Sequence, residues 1–507
     1  MKITDSMKPD GLKPALLVLL VFLVSAAYYW QGLGPLGDAE RYVRYAMRWR
    51  ETGPFLGDTH WALRHLFVLP MALFFFLFGS NEFTATLPNI IYSAGLVFLT
   101  FYFARRYLSL AEAVLAATLV ATSAFFVSKP MEIAVYGPEA FFCALGCWLY
   151  VAAEQERRRL LLLASAGAAI GLAWTIREQT LAMMAAFAVL ALVSRRQILL
   201  TWAALGVGFG SVLAAEWIVY AIAAGDPFYR YKIDLNHRVS GWGAAKPMYA
   251  PLWQRAITPV KDIFSDPLTT PVLAIGVVLA ALARGAGMFA DKRAVKPIFV
   301  FGVVSLVCVP IAAVGFNLAL PRYYPIFPYF VVLLCAFSIA ALRRKYGFRM
   351  GAAAMSAILF TNAASEEFTS YKEYSEARIF VRHVEAADEP VFTDPLTAFR
   401  ARHLLLMKRW SRDEISRRVR SDLNAPPGVL YFKANTIKKI EVSGCVISSQ
   451  EPPRGNWMHS LIRRSGASDF LGSKVRKIVE KPNAVSLIRL DRNPDGAPCA
   501  PDAPEGD

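Results

Sequence analysis

Long apolar segments dominate the first 363 residues, and they constrain the fold more than any other feature. A helix that crosses a bilayer needs about 20 mostly apolar residues, and segments near that length recur along this part of the chain. They lie at 14–30, 85–104, 113–128, 134–152, 160–175, 180–194, 199–223, 269–284, 297–316, 324–342 and 347–363. The sequence therefore predicts an α-helical polytopic membrane protein with about 11 transmembrane helices.

The placement of charge supports this prediction and sets a topology. Only 19% of the residues are charged, against about 25% in soluble globular proteins. The net charge of +16 comes largely from basic clusters in the short loops at 105–106, 157–159, 195–196, 284–296 and 343–349. The positive-inside rule places these loops, and the N-terminus, in the cytoplasm. Because this charge is topological, we expect no nucleic-acid partner; membrane lipids surround the protein.

One further apolar run, 63–79, is predicted not to cross the membrane. If it crossed, every later basic cluster would face outward, against the positive-inside rule. We therefore predict an interfacial or re-entrant helix here. Two long segments then face outward, outer loop one (about 31–84) and outer loop two (about 224–268). The predicted location is the inner membrane of a bacterium, with any chemistry on the periplasmic side.

Residues 364–492 contain no long apolar run, and strand-like and helical patterns alternate along them. They predict a small α/β domain on the periplasmic side, in which Asp394 is a turn or N-cap residue. The tail at 493–507 is rich in Pro, Asp and Gly and is predicted to be disordered. The predicted domains are thus 1–363, 364–492 and 493–507.

Outer loop one carries a set of short elements in a particular order. They are Asp38 with Glu40, His60-Trp61, Phe78-Gly79 and Thr86-Leu87-Pro88-Asn89. This arrangement resembles the GT-C membrane glycosyltransferases, specifically the protein O-mannosyltransferase and lipid A aminoarabinose transferase group. In that group an acidic residue follows the first helix, an HPPL-like element opens an interfacial helix ending in FG, and an LPN-like element opens the second crossing. Neither proline of HPPL is kept here.

The resemblance continues in order to about residue 345. The later elements are Ala104-Arg105-Arg106, Glu132 with Gly137-Pro138-Glu139 in the second outer segment, Thr175 to Thr180, and Pro321-Arg322-Tyr323-Tyr324-Pro325. It implies a GT-C-like fold and a polyprenyl-phosphate sugar as donor. The implied acceptor is an envelope glycan, a lipid or a protein hydroxyl. The sequence shows no metal constellation and implies no cofactor, although a divalent metal remains open because some members of the group hold one near loop one.

The resemblance and the chemistry together assign roles to particular side chains. Asp38 is the predicted base that deprotonates the acceptor hydroxyl, which makes the transfer inverting. Cations must stabilise the departing phosphate, and the candidates are Arg177, Arg322, His60 and Arg64. Further site candidates are Glu40, Glu132, Glu139, Glu216 and Tyr323.

Structural roles for the same residues stay open at this point. Asp38 can cap the helix that follows it, and Arg177 can pair with the adjacent Glu178. Arg322 can anchor a helix end, and His60 can be a structural hydrogen-bonding residue. Glu216 lies inside an apolar helix, where a carboxylate is either functional or bonded to a neighbouring helix.

Two other functions compete with the transferase hypothesis. A lipid or sugar transporter, or a flippase, is expected to show internal repeats and paired charges near the middle of the membrane, and we find no repeat. An O-antigen ligase or polymerase also uses polyprenyl-linked donors at this face. The acidic residue and the interfacial helix of outer loop one favour the transferase.

Overall fold

The computed structural model describes most of the first 421 residues and three later segments. The described residues are 12–30, 32, 38–153, 156, 158–194, 197–239, 251–264, 266–290, 292–316, 323–369, 375–421, 429–433, 444–450 and 485–490. They fall into two compact units. The first comprises 1–32, 41–79 and 83–369, and the second comprises 33–40, 80–82 and 370–507.

The first unit is built from helices, two of which begin with residues of the second unit, 38–40 and Glu82. They are α1 (Leu12–Tyr28), α2 (Asp38–Thr52), α3 (His65–Phe78), α4 (Glu82–Ala104), α5 (Leu110–Ala121), α6 (Ala124–Met131), α7 (Tyr136–Ala153), α8 (Arg159–Ile176), α9 (Ala182–Ser194), α10 (Ile198–Ala224), α11 (Tyr229–Val239), α12 (Leu252–Ile263), α13 (Thr270–Gly285), α14 (Lys292–Phe316), α15 (Ile326–Tyr346) and α16 (Phe348–Thr369). A 3₁₀ turn at Glu178–Leu181 joins α8 to α9. The helical fold class is as predicted.

Four of the described helices, α4, α8, α10 and α15, are long and apolar enough to cross a membrane. Six shorter apolar helices accompany them, and exposed side chains such as Leu199, Val207 and Ile222 suit hydrocarbon better than water. The chain is thus a multi-pass membrane protein, while the number of eleven crossings stays a prediction. One predicted span, 113–128, was wrong as a single helix, because the chain breaks at Thr122 and Ser123 between α5 and α6.

Outer loop one contains the two helices that its sequence predicts. Residues 40–51 belong to α2, in which Tyr42, Tyr45 and Ala46 are buried and Trp49 on the same side is half-buried. The arginines of the opposite side lie against aromatic rings of the same loop. The guanidinium of Arg41 is 3.7 Å from the ring centre of Trp61, which is a cation–π geometry. The run 63–79 forms α3, and its position relative to a membrane stays a prediction.

A buried aromatic core joins α4, α7, α14 and α15. The Tyr329 hydroxyl accepts a hydrogen bond from Trp148 Nε1 at 2.8 Å and lies 2.7 Å from Thr100 Oγ1. The ring of Trp148 stacks on Phe103, with ring centres 5.5 Å apart, and Phe301 contacts both Trp148 and Tyr329. Burying these polar groups is tolerated because each has a partner.

Small residues let α8 and α10 pack with their backbones in contact. A Cβ atom added at Gly208 of α10 would lie 1.7 Å from the carbonyl oxygen of Ala164 in α8, and one added at Gly167 would lie 2.0 Å from the carbonyl oxygen of Leu205. Close approach through small side chains is the usual way for helices to associate in a membrane. The pair holds outer loop two in place, because α11 follows α10.

Replacing Gly208 with Ala is expected to destabilise the protein, since a backbone oxygen cannot move aside without separating the helices. Overpacking of this kind costs about 1–3 kcal/mol or more. The measurement is the apparent unfolding temperature of the purified protein in detergent. Gly206→Ala is the matched control, because nothing lies within 4 Å of a Cβ added there. Equal unfolding temperatures for the two variants would contradict the packing argument.

The described residues of the second unit form a mixed five-stranded sheet and three helices. The strands are β1 (Val391–Thr393), β2 (Val419–Ser421), β3 (Leu430–Lys433), β4 (Gly444–Gln450) and β5 (Val485–Leu490), in the order β2-β1-β3-β5-β4. The helices are α17 (Ser375–Ala386), α18 (Pro395–Met407) and α19 (Arg412–Arg418). Strand β1 is parallel to β2 and β3, and β5 is antiparallel to β3 and β4.

Asp394 has the capping role predicted for it. It is the N-cap of α18, and its Oδ1 accepts hydrogen bonds of 2.9 Å from the backbone N–H groups of Leu396 and Thr397. The predicted disordered tail at 493–507 lies outside the described residues.

Candidate active site

A buried ion pair joins Arg177 to Glu139 in the first unit. Arg177 follows α8, and Glu139 lies in the first turn of α7. Arg177 Nη1 is 2.9 Å from Glu139 Oε2, and the two residues are 5% and 1% exposed. The predicted alternative, a pair between Arg177 and Glu178, is wrong.

Further groups fix the orientation of this pair. Gln179 Nε2 donates to Glu139 Oε1 at 3.1 Å and to the backbone oxygen of Tyr323 at 3.3 Å. The guanidinium of Arg177 lies 4.8 Å from the ring centres of both Tyr136 and Tyr323. Tyr323 is therefore part of this cluster. Arg322, beside it in sequence, lies outside the described residues.

Glu178 pairs instead with Arg230, a residue of outer loop two to which the sequence assigns no role. Arg230 lies in α11 and is 3% exposed. Its guanidinium contacts three carboxylates: Glu178 at 2.7 Å, Glu216 at 3.0 Å and Asp234 at 3.5 Å. The Glu216 carboxylate thus bonds to a neighbouring helix, as one of the predicted alternatives states.

Arg230 also closes the end of α8. It donates to the carbonyl oxygens of Thr175 at 2.8 Å and Trp174 at 3.3 Å, and its guanidinium lies 4.9 Å from a ring centre of Trp174. The last carbonyl groups of a helix have no partner within the helix and attract cations. One side chain therefore ties α11 to α8, to α10 and to the turn that carries Glu178.

Three carboxylates around one arginine cannot all ionise easily, because their negative charges repel one another. The pKa values of Glu178 and Asp234 therefore shift in opposite directions. Burial, together with the negative charge of Glu178, raises the pKa of Asp234 from 3.8 to about 7 against the opposing effect of Arg230. Burial also acts to raise the pKa of Glu178, but the charges of Arg230 and Arg64 outweigh it, and this pKa is lowered. Glu178 is thus the main counter-ion of Arg230, and Asp234 is a group of this cluster that can take up a proton.

The stability of the protein is expected to fall as Asp234 ionises. The pKa of Asp234 is higher in the folded chain than in the unfolded chain. Between about pH 4 and pH 7 the folded chain therefore holds a proton that the unfolded chain has lost, and the free energy of unfolding falls as the pH rises through that window. Asp234→Asn removes this contribution. The apparent unfolding temperature of wild type should therefore fall more than that of the variant between about pH 5 and pH 8. Parallel pH profiles would contradict this assignment.

Arg64 lies close to both ion-pair groups. It is 8% exposed, just before α3, and its Nη1 donates to the Tyr42 hydroxyl. Its charge acts on Glu139, Glu178 and Asp234. Three arginines (Arg64, Arg177 and Arg230) and four carboxylates (Glu139, Glu178, Glu216 and Asp234) thus form one network in the first unit, which we call the arginine–carboxylate network.

His60 lies in outer loop one, against an aromatic ring. It is half-buried, and its ring centre is 3.6 Å from that of Trp61. The same loop contacts outer loop two, because the Tyr229 hydroxyl donates to the backbone oxygen of Gly57 at 3.1 Å. The two outer loops therefore meet through α11.

Glu132 lies in a short connection that Asn89 holds in place. Asn89 Nδ2 donates to the backbone oxygens of Glu132 at 2.8 Å and Ala134 at 2.6 Å. The Ile133 N–H donates to the backbone oxygen of Gly32 at 3.2 Å. The asparagine of the Leu-Pro-Asn element is thus a clamp between α4 and the segment before α7, and Glu132 itself is 5% exposed.

Asp38 and Glu40 lie in the first turn of α2, in the short segment that belongs to the second unit. Asp38, the first residue of the helix, is half-buried, and Glu40 is 1% exposed. A carboxylate at this end of a helix is favoured by the helix dipole, whether or not it also takes part in chemistry. Across the described ranges, no set of three His, Cys, Asp or Glu side chains is arranged to hold a metal ion.

Sequence reasoning missed Arg230, Asp234, Gln179 and Asn89. The first two had a weak signal, since Arg and Asp four residues apart on a helix can pair. Asn89 belongs to the Thr86-Leu87-Pro88-Asn89 element, which assigned it no role. No pattern in the sequence singles out Gln179. The network that results places three arginines and four carboxylates together in a setting largely shielded from water.

The fold matches that of a known membrane protein. Crystal structures of ArnT from Cupriavidus metallidurans in the apo state and bound to undecaprenyl phosphate align with TM-scores of 0.50 and 0.52 and sequence identities of 16% and 15%. The alignments cover 86% of this chain and 95% and 96% of the ArnT chains. These values show a common fold.

A family model matches part of the chain. Residues 66–220 match the dolichyl-phosphate-mannose-protein mannosyltransferase family. No curated protein matches the sequence. The family match and the common fold confirm the resemblance to the GT-C membrane glycosyltransferases of the mannosyltransferase and ArnT group.

Proposed function

We propose that this chain is a GT-C-type glycosyltransferase that moves a sugar from a polyprenyl-phosphate donor to a hydroxyl group of a cell-envelope glycan, lipid or protein. We place the reaction at the periplasmic face of a bacterial inner membrane, with the N-terminus in the cytoplasm. Residues 1–363 form the transmembrane part of this proposal and 364–492 its periplasmic domain.

The observation that carries the proposal is the fold shared with ArnT over 86% of this chain, since one ArnT structure is bound to undecaprenyl phosphate. The family matched by residues 66–220 is likewise named for a lipid-phosphate sugar, dolichyl-phosphate-mannose. That match includes α3, α7, α8 and Arg177, so it covers part of the arginine–carboxylate network. A phosphate needs such cationic groups.

In the proposed reaction Asp38 accepts the proton of the acceptor hydroxyl. The acceptor oxygen forms a bond to the anomeric carbon as the bond from that carbon to the phosphate oxygen breaks, so the configuration inverts. The polyprenyl phosphate leaves with the bonding electrons, and positive groups aimed at it lower the barrier. Arg64, Arg177, Arg322 and His60 are the proposed groups.

The ion pairs limit how these groups act. Arg177 is already bonded to Glu139, so a phosphate must share it with that carboxylate. Such an arrangement holds the guanidinium in one orientation before the ligand arrives. A cation that is already oriented lowers the reaction barrier more than a flexible one. Glu216 and Glu178 are bonded to Arg230, and we assign them to the anchoring of α11. Glu40 and Glu132 remain candidates for contacts to the acceptor or to a divalent ion.

Mass spectrometry of envelope lipids, glycans and proteins from wild-type and deletion strains tests the proposal. Loss of one sugar mass from one class of molecule in the deletion strain, restored by the gene on a plasmid, is the expected result. It also identifies the sugar and the acceptor. An unchanged sugar content in all three classes would overturn the proposal.

A further inference from the structure

The second unit contains a cavity of about 730 Å³ beside the edge of its sheet. Its polar walls are Glu389, Arg402 of α18, Ser416 of α19, and Arg420 and Ser421 of β2, and Phe392 of β1 lines it as well. Sites for small ligands commonly have volumes of about 300–1,000 Å³. The cavity therefore has room for a ligand of a few rings.

The segment that builds the cavity is strongly basic. Residues 395–421 include eight Lys and Arg and only two acidic residues, Asp413 and Glu414. Lys408 pairs with Glu385, but within the described part of this unit Arg402 and Arg420 form no ion pair. Two arginines against the one carboxylate of Glu389 leave the cavity lining net positive, and concentrated positive charge favours the binding of anions.

Arg402 is held in place by the protein itself. It is half-buried, and its Nη2 donates to the backbone oxygen of Val419 at 3.3 Å, the residue before Arg420. The hydrogen bond uses one of five guanidinium N–H groups, so the remaining donors stay available for a ligand. Arg402 and Arg420 thus line the same concave surface, one fixed and one exposed.

The other walls indicate the chemistry of the uncharged part of an anionic ligand. The Ser416 and Ser421 hydroxyls both donate and accept hydrogen bonds, and a carboxylate such as Glu389 accepts from hydroxyl groups. Phe392 supplies a half-buried aromatic face. Pro390, Val419 and Val429 add apolar surface to the walls, and a flat membrane surface does not fill a cavity. Guanidinium groups bind phosphate and carboxylate in a two-point geometry.

We propose that this cavity is a binding site for an anionic saccharide, a sugar that carries phosphate or carboxylate, with Arg402 and Arg420 on the charge and the two serines on the hydroxyl groups. The binding does not depend on the transferase proposal. Only its place in the reaction, the recognition of an acceptor glycan, rests on the proposed function.

Calorimetric titration of the full-length protein in phosphatidylcholine nanodiscs tests the site. The probes are trehalose 6-phosphate, trehalose and inorganic phosphate. Trehalose 6-phosphate is expected to bind at least about tenfold more tightly than either of the other two. Arg420→Gln and Arg402→Gln should each weaken it about tenfold or more. Arg420 is exposed, so its variant keeps the fold even if Arg402→Gln does not.

Arg412→Gln is the matched control, since Arg412 is exposed on the same basic segment and does not line the cavity. Equal binding to wild type and Arg420→Gln would overturn the proposal. Inorganic phosphate binding as tightly as the sugar phosphate would also overturn it, because the site is then specific for the ion alone. Loss of trehalose 6-phosphate binding in phosphatidylglycerol nanodiscs would overturn it as well, since the arginines would then bind lipid headgroups. None of these outcomes bears on transferase activity.

Discussion

Asp38→Asn is expected to abolish nearly all sugar transfer while leaving the amount of membrane protein unchanged. A positioned general base contributes about 10²–10⁴-fold to a rate, and an amide cannot accept the acceptor's proton at neutral pH. The substitution keeps the size of the side chain, and an amide oxygen can still accept a helix-capping hydrogen bond. A role limited to capping therefore predicts little change.

The measurement compares the sugar content of the envelope in strains that carry wild type, Asp38→Asn or Asp58→Asn at equal protein levels. Asp58 is the matched control, because it is an exposed carboxylate in the same outer loop. Loss of the sugar in Asp38→Asn alone supports the base. Full transfer by Asp38→Asn would remove Asp38 from the chemistry, and Glu132 and Glu40 would then be tested.

The helices of the membrane part follow from local patterns in the sequence. Apolar runs of about 20 residues and the spacing of Tyr42, Tyr45 and Ala46 identify elements without any knowledge of their neighbours. For α2 the helix is present where the sequence places one after Asp38, and Tyr42, Tyr45 and Ala46 are buried. The break between α5 and α6 escaped prediction because Thr122 and Ser123 stand within an apolar run and carry no Pro or Gly to mark it.

The partners of the buried charges did not follow from the sequence. Arg177 and Glu178 are adjacent in the chain, which suggested a pair, but adjacent side chains diverge and select partners on different elements. Arg177 pairs with a residue 38 positions earlier, and Glu178 with one 52 positions later. Such pairs depend on how α7, α8 and α11 pack together, which no single segment encodes.

Arg230→Met is expected to destabilise the protein more than any other single substitution in outer loop two. It leaves Glu178 and Glu216 buried without their counter-ion, and the carbonyl groups at the end of α8 lose a donor. Removal of one partner of a buried ion pair typically lowers the free energy of unfolding by about 3–5 kcal/mol. At about 2–4 °C per kcal/mol, the apparent unfolding temperature in detergent should fall on the order of 10 °C.

Lys232→Met is the matched control on the same helix. Lys232 pairs with Asp226, but its side chain is 65% exposed, and exposed pairs contribute about 0–1 kcal/mol. Adding Glu178→Gln to Arg230→Met should recover part of the loss, because it removes a buried charge that Arg230 no longer compensates. If Arg230→Met is as mild as Lys232→Met, α11 is held by its other contacts, and the assignment of Glu178 and Glu216 to its anchoring is wrong.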